Sequence, residues 1–464
     1  MKLIIAGAGS SGLGVALAAA RRGWQVLLLD ARDIGGGTST ASTKLIHGGL
    51  RYLESAVRSF RYADWRLVRE ALEERAWMIR SHSQLCKPLP LVVPIRSRVE
   101  QLYYGVGLYL YHYLSIPHRL AAPSWVDLES FQRLFPLARS VFKGGWRYWD
   151  GQFQDRLYLV HLALFLKQRY IFEVRPYHRV TEISSGGRRV RVRVQVADGS
   201  FYEEEGDFFV NATGPWADEL RRKVRPDAVP RLRVSRGSHL VLPAEFLPIQ
   251  EGFLIPKTED GRLLFILPWL ESTVLVGTTD VEVAQPEWTP SVPAAEEEYL
   301  LTYLRRYFKV EDPFPVKARF AGFRPLVAES SRSTARLARS HIVEVWPQQR
   351  FLSLMGGKWT TFRKMGEDAV AAIAQAVSIS LPAGDKVESI EPDLSELEEL
   401  RKIYSLPLLS DEAFCEGEVR FWKRVGWALY PGDIVEGRWQ LHLIDQVRAE
   451  RLKAVLGERW SELT

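Results

Sequence analysis

The run Leu3-Ile4-Ile5-Ala6-Gly7-Ala8-Gly9-Ser10-Ser11-Gly12, continuing through Leu13-Gly14-Val15-Ala16 and on to Val26-Leu27-Leu28-Leu29-Asp30, decides how the rest of the chain is read. Four apolar residues make a strand, the glycines make a turn, and the Ala-rich stretch behind them is helical. Gly7, Gly9 and Gly12 stand in G-x-G-x-x-G spacing between strand and helix. The first makes the tight turn, the second lets backbone approach a pyrophosphate, and the third lets the helix pack on the strand. Gly23 ends the helix, and Asp30 closes a second strand 18 residues after Gly12, where a carboxylate can accept from ribose hydroxyls. The helix N-terminus adds unpaired N–H groups and positive potential for phosphates. A secretory signal is the rival reading, because Met1-Lys2 precedes an apolar stretch ending in Ala18-Ala19-Ala20. Gly7, Gly9 and Gly12 interrupt that stretch and the βα pattern continues through it, so the strand–turn–helix reading is preferred.

A chain of 464 residues accommodates roughly two to four structural units. Hydrophobic residues at 46% and charged residues at 25% exclude wholesale disorder. Two cysteines, Cys86 and Cys415, exclude a disulfide framework and a Cys-rich metal site, and no histidine spacing points to metal ligation. The net charge is +6, and the 62 basic residues divide into 47 Arg and 15 Lys. Guanidinium grips oxyanions bidentately, so the balance suits an anionic partner such as a phosphorylated substrate or an anionic membrane surface. Nucleic acid is not among the expected partners, since no basic, aromatic-interleaved module stands out. A single asparagine, Asn211, and four methionines match a hyperthermophile composition, although a GC-rich genome biases usage the same way. No apolar run of 18 or more residues occurs elsewhere, so no spanning helix is expected. The expected location is the cytoplasm or, peripherally, the cytoplasmic face of the cell membrane.

Further along, Gly35-Gly36-Gly37 and the hydroxyl-rich run to Thr43 read as a loop, and helical spacing resumes through Ala71–Ile79. Residues 101–115 are aromatic-rich, and a helix is expected from about Arg156 to Arg169. Val190, Val192, Val194 and Val196 alternate with Arg, the signature of a half-buried strand. Residues 232–283 read as a β-meander in which Asp260-Gly261 turns a hairpin. A helix follows at Ala294–Tyr307, and a strand from Phe351 to Met355 runs into Gly356-Gly357 and another helix. Residues 381–392 resemble a linker, and the stretch beyond looks helical.

NAD and FAD both use the first fingerprint. Asn211-Ala212-Thr213-Gly214-Pro215-Trp216 follows the apolar strand Phe208-Phe209-Val210 and supplies a second dinucleotide contact, while Gly356-Gly357 offers a third backbone approach. A simple NAD dehydrogenase has no reason to return to its cofactor so far along the chain, so FAD is favoured, bound non-covalently. The lone Asn211 heading the second motif points to a hydrogen-bonding need there, with chance as the plain alternative.

The block Thr38-Ser39-Thr40-Ala41-Ser42-Thr43-Lys44-Leu45-Ile46-His47-Gly48-Gly49-Leu50-Arg51-Tyr52-Leu53-Glu54 resembles a signature of the FAD-dependent glycerol-3-phosphate dehydrogenases, within the D-amino-acid-oxidase-like flavoproteins. Arg236-Gly237-Ser238-His239, Gly277-Thr278-Thr279-Asp280, Arg324-Pro325-Leu326 and Gly356-Gly357-Lys358 with Thr360-Thr361 continue the resemblance in order, from about residue 3 to 370. It implies an α/β fold with a Rossmann-like FAD-binding domain assembled from residues 1–80, 151–222 and 340–380. An inserted α+β substrate domain with an antiparallel sheet is expected from 81–150 and 223–339, and a short helical C-terminal region from 393–464. That region is smaller than the family's usual helical domain, which leaves homo-oligomerisation open.

The implied activity is oxidation of sn-glycerol 3-phosphate to dihydroxyacetone phosphate by hydride transfer to flavin N5, with electrons passed to quinone. Such a substrate needs a cationic cradle and a route for the C2 hydroxyl proton. Arg51, Arg324, Arg339 and Lys358 are the candidate cations, although Arg339-Ser340-His341 matches the family's Arg-Asp-His stretch less well. Tyr52 and Thr278 are candidate hydroxyl donors to substrate. His47, ahead of Gly48-Gly49, is the candidate base, the alternative being a hydrogen bond to the flavin or its loop; His239 is the runner-up. His47, Arg324 and Lys358 are thus the expected catalytic residues. The FAD contacts expected are Gly7, Gly9, Gly12, Asp30, Thr38, Ser42, Thr43, Lys44, Leu45, Val180, Thr213, Gly214, Gly356, Gly357 and Thr360, with a polar surface loop as the plainer reading around Thr38–Lys44. Alternatives are an oxidase of the same substrate that reduces oxygen, an amine oxidase of the same superfamily, and a non-enzymatic flavin carrier. Residues 102–113, with Leu, Val and five tyrosines, read either as a membrane-contacting segment or as a buried helix flanking the pocket.

Overall fold

The computed structural model describes residues 1–49, 62–270, 272–328, 341–409 and 413–463. Its first sheet has six strands in the order His341–Trp346, Phe351–Gly356, Phe208–Asn211, Lys2–Ala6, Gln25–Leu29 and Phe172–Arg175. All neighbours are parallel except the first pair. The unbroken apolar runs in these strands follow from cover on both faces. Leu3, Ile5, Val26 and Leu28 face the helices Ser10–Ala20, Asp155–Arg169 and Phe362–Ala376. Ile4, Ala6, Leu27 and Leu29 face a three-stranded antiparallel sheet of His178–Gly186, Arg189–Val196 and Phe201–Gly206, whose Val190, Val192 and Val194 point inward. Their Arg neighbours lie in solvent, as the alternation predicts.

The second large sheet runs Val281–Val283, Leu232–Pro243, Thr273–Gly277, Leu264–Trp269, Gly252–Ile255, Cys86–Ile95, Gly144–Phe153 and Leu45–Ile46. Ala318–Val327 pairs with Leu232–Pro243, and Ser124–Val126 with Gly144–Phe153. The predicted hairpin is present, with Phe253 opposite Ile266 and Gly261 in the left-handed region at φ +78°. The expected meander is re-ordered, because Leu232–Pro243 skips the next strands in sequence to pair with Thr273–Gly277 and Val281–Val283. Leu45–Ile46 belongs to this second sheet although it lies within residues 1–80. One face of the sheet packs on the helices Leu128–Leu134 and Ala294–Tyr307, the other on Tyr62–Ser81 and Arg98–Leu114.

Past residue 393 the helices Ser395–Ile403, Glu416–Arg424 and Gln446–Arg459 pack against Asp155–Arg169, with Trp422 stacked on His161. Arg438 is fully buried and binds Asp33, in the loop after the second strand, which ties this region to the first sheet. Among the described residues no helix is long and apolar enough to cross a membrane.

The helices Ser10–Ala20 and Phe362–Ala376 cross with their backbones touching. A β-carbon at Gly366 would stand 2.1 Å from the Gly14 carbonyl oxygen, and one at Gly14 2.3 Å from the Phe362 oxygen. Gly366→Val is therefore expected to lower stability by about 1–3 kcal/mol or more in urea unfolding. Gly457→Ala, in an exposed helix where nothing stands within 4 Å of the new carbon, should raise it by about 0.5–1 kcal/mol.

Candidate functional site

A cavity of about 410 Å³ opens where the carboxyl ends of the parallel strands meet the second sheet. Ligands of open α/β sheets sit at that end because the strand-to-helix turns present their backbone there. Gly7, Gly9, Asp30, Thr213, Gly214, Gly356 and Gly357 all wall it. Gly7 has φ +106°, and a β-carbon there would fall 2.4 Å from the Ala212 oxygen. Gly12 lies beneath the turn, where a β-carbon would stand 1.8 Å from the Gly7 oxygen. Gly9 caps the helix without a side chain, and the first turn holds no acid. The helix start thus faces the cavity with positive potential.

Asp30 accepts from the amides of Ala8 at 2.6 Å and Arg32 at 2.8 Å. Burial pushes its carboxyl up to about 6 despite those bonds. Asn211 explains its own uniqueness. Its amide nitrogen donates to the Ala217 carbonyl and to Ser353 at 2.8 and 2.9 Å, while its oxygen accepts from the Thr213 hydroxyl at 2.7 Å. Aspartate could not donate twice, and serine could not span three partners.

The hydroxyl-rich loop divides. Thr38, Ser42, Thr43 and Leu45 wall the cavity, as does Val180. Lys44 departs from the expectation of a cofactor contact: it is not among the lining residues. Its ammonium donates to Asp155 and to the Thr40 carbonyl, buried on all sides. A cation so far from water must be matched by a nearby carboxylate, which fixes where the side chain points.

On the opposite wall, Arg324 extends from Ala318–Val327 and donates to the Thr278 hydroxyl at 2.9 Å and the Thr279 carbonyl at 3.1 Å. Gly237 makes room for it, since a β-carbon there would stand 2.4 Å from the guanidinium. Lys358, Thr278, His47 and His239 line the same cavity. His239 stacks on Phe320 with centroids 4.7 Å apart and hydrogen-bonds Thr43 at 2.9 Å. Burial, with Arg324 and Lys44 nearby, holds its pKa well below the ordinary imidazole range, so this ring is neutral. Arg51, Tyr52 and Arg339 lie outside the described residues.

Two acids have no local sequence signal. Asp150, at the end of Gly144–Phe153, accepts from Arg75 at 2.7 Å, Tyr111 at 2.8 Å and the Gly48 amide at 3.4 Å, bracing the turn that carries His47. Glu296 is buried and accepts from Arg236, Ser238 and Thr279, holding the Thr278–Asp280 turn against its strand. Only the tertiary fold brings either to the site.

The family described as FAD dependent oxidoreductase matches residues 2–363. The chain belongs to that family. The probable glycerol-3-phosphate dehydrogenase of Encephalitozoon cuniculi is 36% identical over 388 residues, 82% of this chain and 62% of that protein. The human mitochondrial glycerol-3-phosphate dehydrogenase is 33% identical over 386 residues, 80% and 52% respectively. The chain therefore spans between about half and three fifths of the length of these relatives. Among solved structures, the glycerol-3-phosphate dehydrogenase of Bacillus halodurans complexed with FAD overlays with a TM-score of 0.72 at 21% identity, covering 100% of this chain and 94% of that one. The α-glycerophosphate oxidase of Mycoplasma pneumoniae with FAD bound gives 0.62 at 15%, covering 83% and 97%. The α/β fold expected from the sequence, a Rossmann-like unit with an inserted antiparallel unit, is the fold observed.

The cavity fits the family's cofactor. The helix start, with a glycine cap and no acid in its first turn, suits a pyrophosphate, and the strand-end acid suits a ribose. The buried Thr360 hydroxyl walls the cavity and has no hydrogen-bond partner among the described residues. Because Lys44 serves Asp155, Lys44→Met is expected to cost about 3–5 kcal/mol in urea unfolding, by stranding a buried carboxylate. The double variant Lys44→Met with Asp155→Leu should lose markedly less.

Proposed function

We propose that this chain oxidises sn-glycerol 3-phosphate at C2 to dihydroxyacetone phosphate. Bound FAD supplies a two-electron acceptor for the C2 hydride at N5. The observation that carries the reading is the meeting of two chemistries in one cavity: a dinucleotide cradle on one sheet, and Arg324 with Lys358 on the facing wall. Arg324 is pre-aimed by Thr278 and Thr279 and binds the phosphate dianion through its planar fork, while Lys358 serves as a point charge. The resemblance adds Arg51, Tyr52 and Arg339 to this cradle. His47, braced through Gly48 and Asp150, is assigned the C2 hydroxyl proton. His239 is assigned an orienting role, since its ring already holds Thr43. The names of the relatives support the substrate. An amine oxidase needs one cation for a carboxylate and has no use for a cradle.

Electrons leave to a quinone at a membrane surface in this reading. The helix Arg98–Leu114 supports it. Val99, Leu102 and Val106 are 79%, 71% and 62% exposed, and Tyr103, Tyr109 and Tyr113 extend the same apolar stripe. Arg96, Arg98 and Arg119 are exposed around it, a charge pattern suited to anionic headgroups. The opposite face buries Gly105, Leu108 and Tyr111, and Tyr111 reaches Asp150 at the cavity wall. The buried face matches the buried-helix reading of this segment, and the exposed face is the one assigned here to the membrane.

Arg324→Leu and Lys358→Met should each lower kcat/KM for glycerol 3-phosphate about ten- to hundredfold with flavin still bound, the loss of one charge-assisted contact worth about 1.5–3 kcal/mol. Near wild-type kinetics in both would remove the cradle, and faster flavin bleaching by glycine than by glycerol 3-phosphate would favour the amine oxidase. Leu102→Asp with Val106→Asp should abolish flotation with anionic vesicles at low salt. If the parent protein does not float, and oxygen reoxidises the flavin as fast as a soluble quinone, the acceptor is oxygen.

A further inference from the structure

The stretch between Val281–Val283 and the helix Ala294–Tyr307, residues 284–293, leaves the second sheet and crosses to the first unit. Pro286, Pro290 and Pro293 stiffen it. At its middle Trp288 stacks on Trp216, ring centroids 4.7 Å apart and planes 17° from parallel. Trp216 belongs to the second dinucleotide motif. Two guanidiniums lie over the Trp288 ring, Arg32 at 4.9 Å and Arg179 at 5.6 Å, and Arg32 also donates to the Trp288 carbonyl. Both arginines grow from the Asp30 corner: the Arg32 amide donates to the Asp30 carboxylate, and His178, next to Arg179, donates its amide to the Asp30 carbonyl at 2.6 Å. All five residues, Asp30, Arg32, Arg179, Trp216 and Trp288, wall the cavity.

In this fold the acid at the end of the second strand marks the ribose of the adenosine half. Trp288 is nonetheless 41% exposed, an unusual state for an indole that stacks on a second ring and lies beneath two guanidiniums. Besides packing on Trp216 and the two arginines, the ring walls the cavity at the Asp30 end. We propose that Trp288 is a cofactor-binding residue: with Trp216, Arg32 and Arg179 it forms the outer wall over the adenosine end of the bound dinucleotide. The proposal rests on FAD as the cofactor and adds a contact that the glycine motifs do not contain. It predicts an asymmetry, in that the contact holds the adenosine half and leaves the isoalloxazine half, near Gly356 and Lys358, untouched.

The test is the release of FAD from the purified holoprotein, followed on dilution by the rise in free-flavin fluorescence, with the visible absorption of the bound flavin recorded beforehand. Trp288→Ala should release FAD about tenfold faster, the loss of a stacked ring and its cation–π contacts, with the flavin absorption bands unmoved. Trp288→Phe, which keeps a ring, should stay within about threefold of the parent. Equal release rates for Trp288→Ala and the parent overturn the proposal. So does faster release accompanied by shifted flavin bands, which would mean a general loosening of the site. Flavin missing from the purified parent protein would overturn the FAD reading itself, a result distinct from either.

Discussion

Gly7, Gly12, Gly14 and Gly366 bring the helix Ser10–Ala20 into backbone contact with its own turn and with the helix Phe362–Ala376. That closeness constrains everything else. The helix must begin where the first strand ends, with a glycine at its cap, and the Ser10 amide there donates to the Ser39 hydroxyl at 3.0 Å on the cavity wall. The strand-end positions of Phe208–Asn211 and Phe351–Gly356 are then drawn to the same corner, because Phe208–Asn211 pairs in parallel with the first strand and Phe351–Gly356 pairs in parallel with Phe208–Asn211. One steric requirement at four glycines therefore sets the position of three cofactor-facing loops from distant parts of the chain.

A second constraint is the matching of buried charge. Asp33 is bound by Arg156 and Arg438, Asp150 by Arg75, Asp155 by Lys44, and Glu296 by Arg236. Each acid is buried, and each partner comes from a distant segment. Such pairs add little net stability over an apolar core but penalise any arrangement that separates them. They sit between units: Arg438 fastens the C-terminal helices to the loop after Asp30, and Asp155 fixes the loop that carries Ser42 and Thr43. Arg75, Arg156, Arg236 and Arg438 are thus engaged inside the molecule, and since each such pair removes one base with one acid, the net charge of +6 does not tell which cations face an anionic partner.

The first unit was legible because its rules are local. Glycine spacing, the offset to Asp30 and the strand–turn–helix order are all readable within about thirty residues. The helix–strand alternation elsewhere was legible for the same reason, as was the hairpin at Asp260-Gly261. Strand order in the second sheet was not, since Leu232–Pro243 passes over its sequence neighbours to reach partners that no periodicity names. The surroundings of Lys44 were hidden for a related reason: the sequence suggests a cofactor contact, whereas Asp155, 111 residues away, receives its buried ammonium. Asp150 and Glu296 carry no motif at all, and their use depends on which strand ends the fold aligns.

The cavity lies between two units with different demands, and the division shows in which residues each supplies. The parallel unit presents mostly backbone, glycines and amides, suited to the phosphates of a dinucleotide. The antiparallel unit presents side chains, Arg324, Thr278 and His239, whose positions depend on strand register and on Glu296 behind them. Register is a strict ruler: Arg324 pairs opposite Ser235, and Gly237, two positions along that strand, leaves room for its guanidinium, while Gly322 opposite it leaves room for Ala41. A slip of one residue would turn Arg324 to the far face and bring the bulk of Phe323 into the site. Within this geometry the side chains that face the cleft are set by the sheet's register and the backbone that faces it by a turn, and the two can change independently.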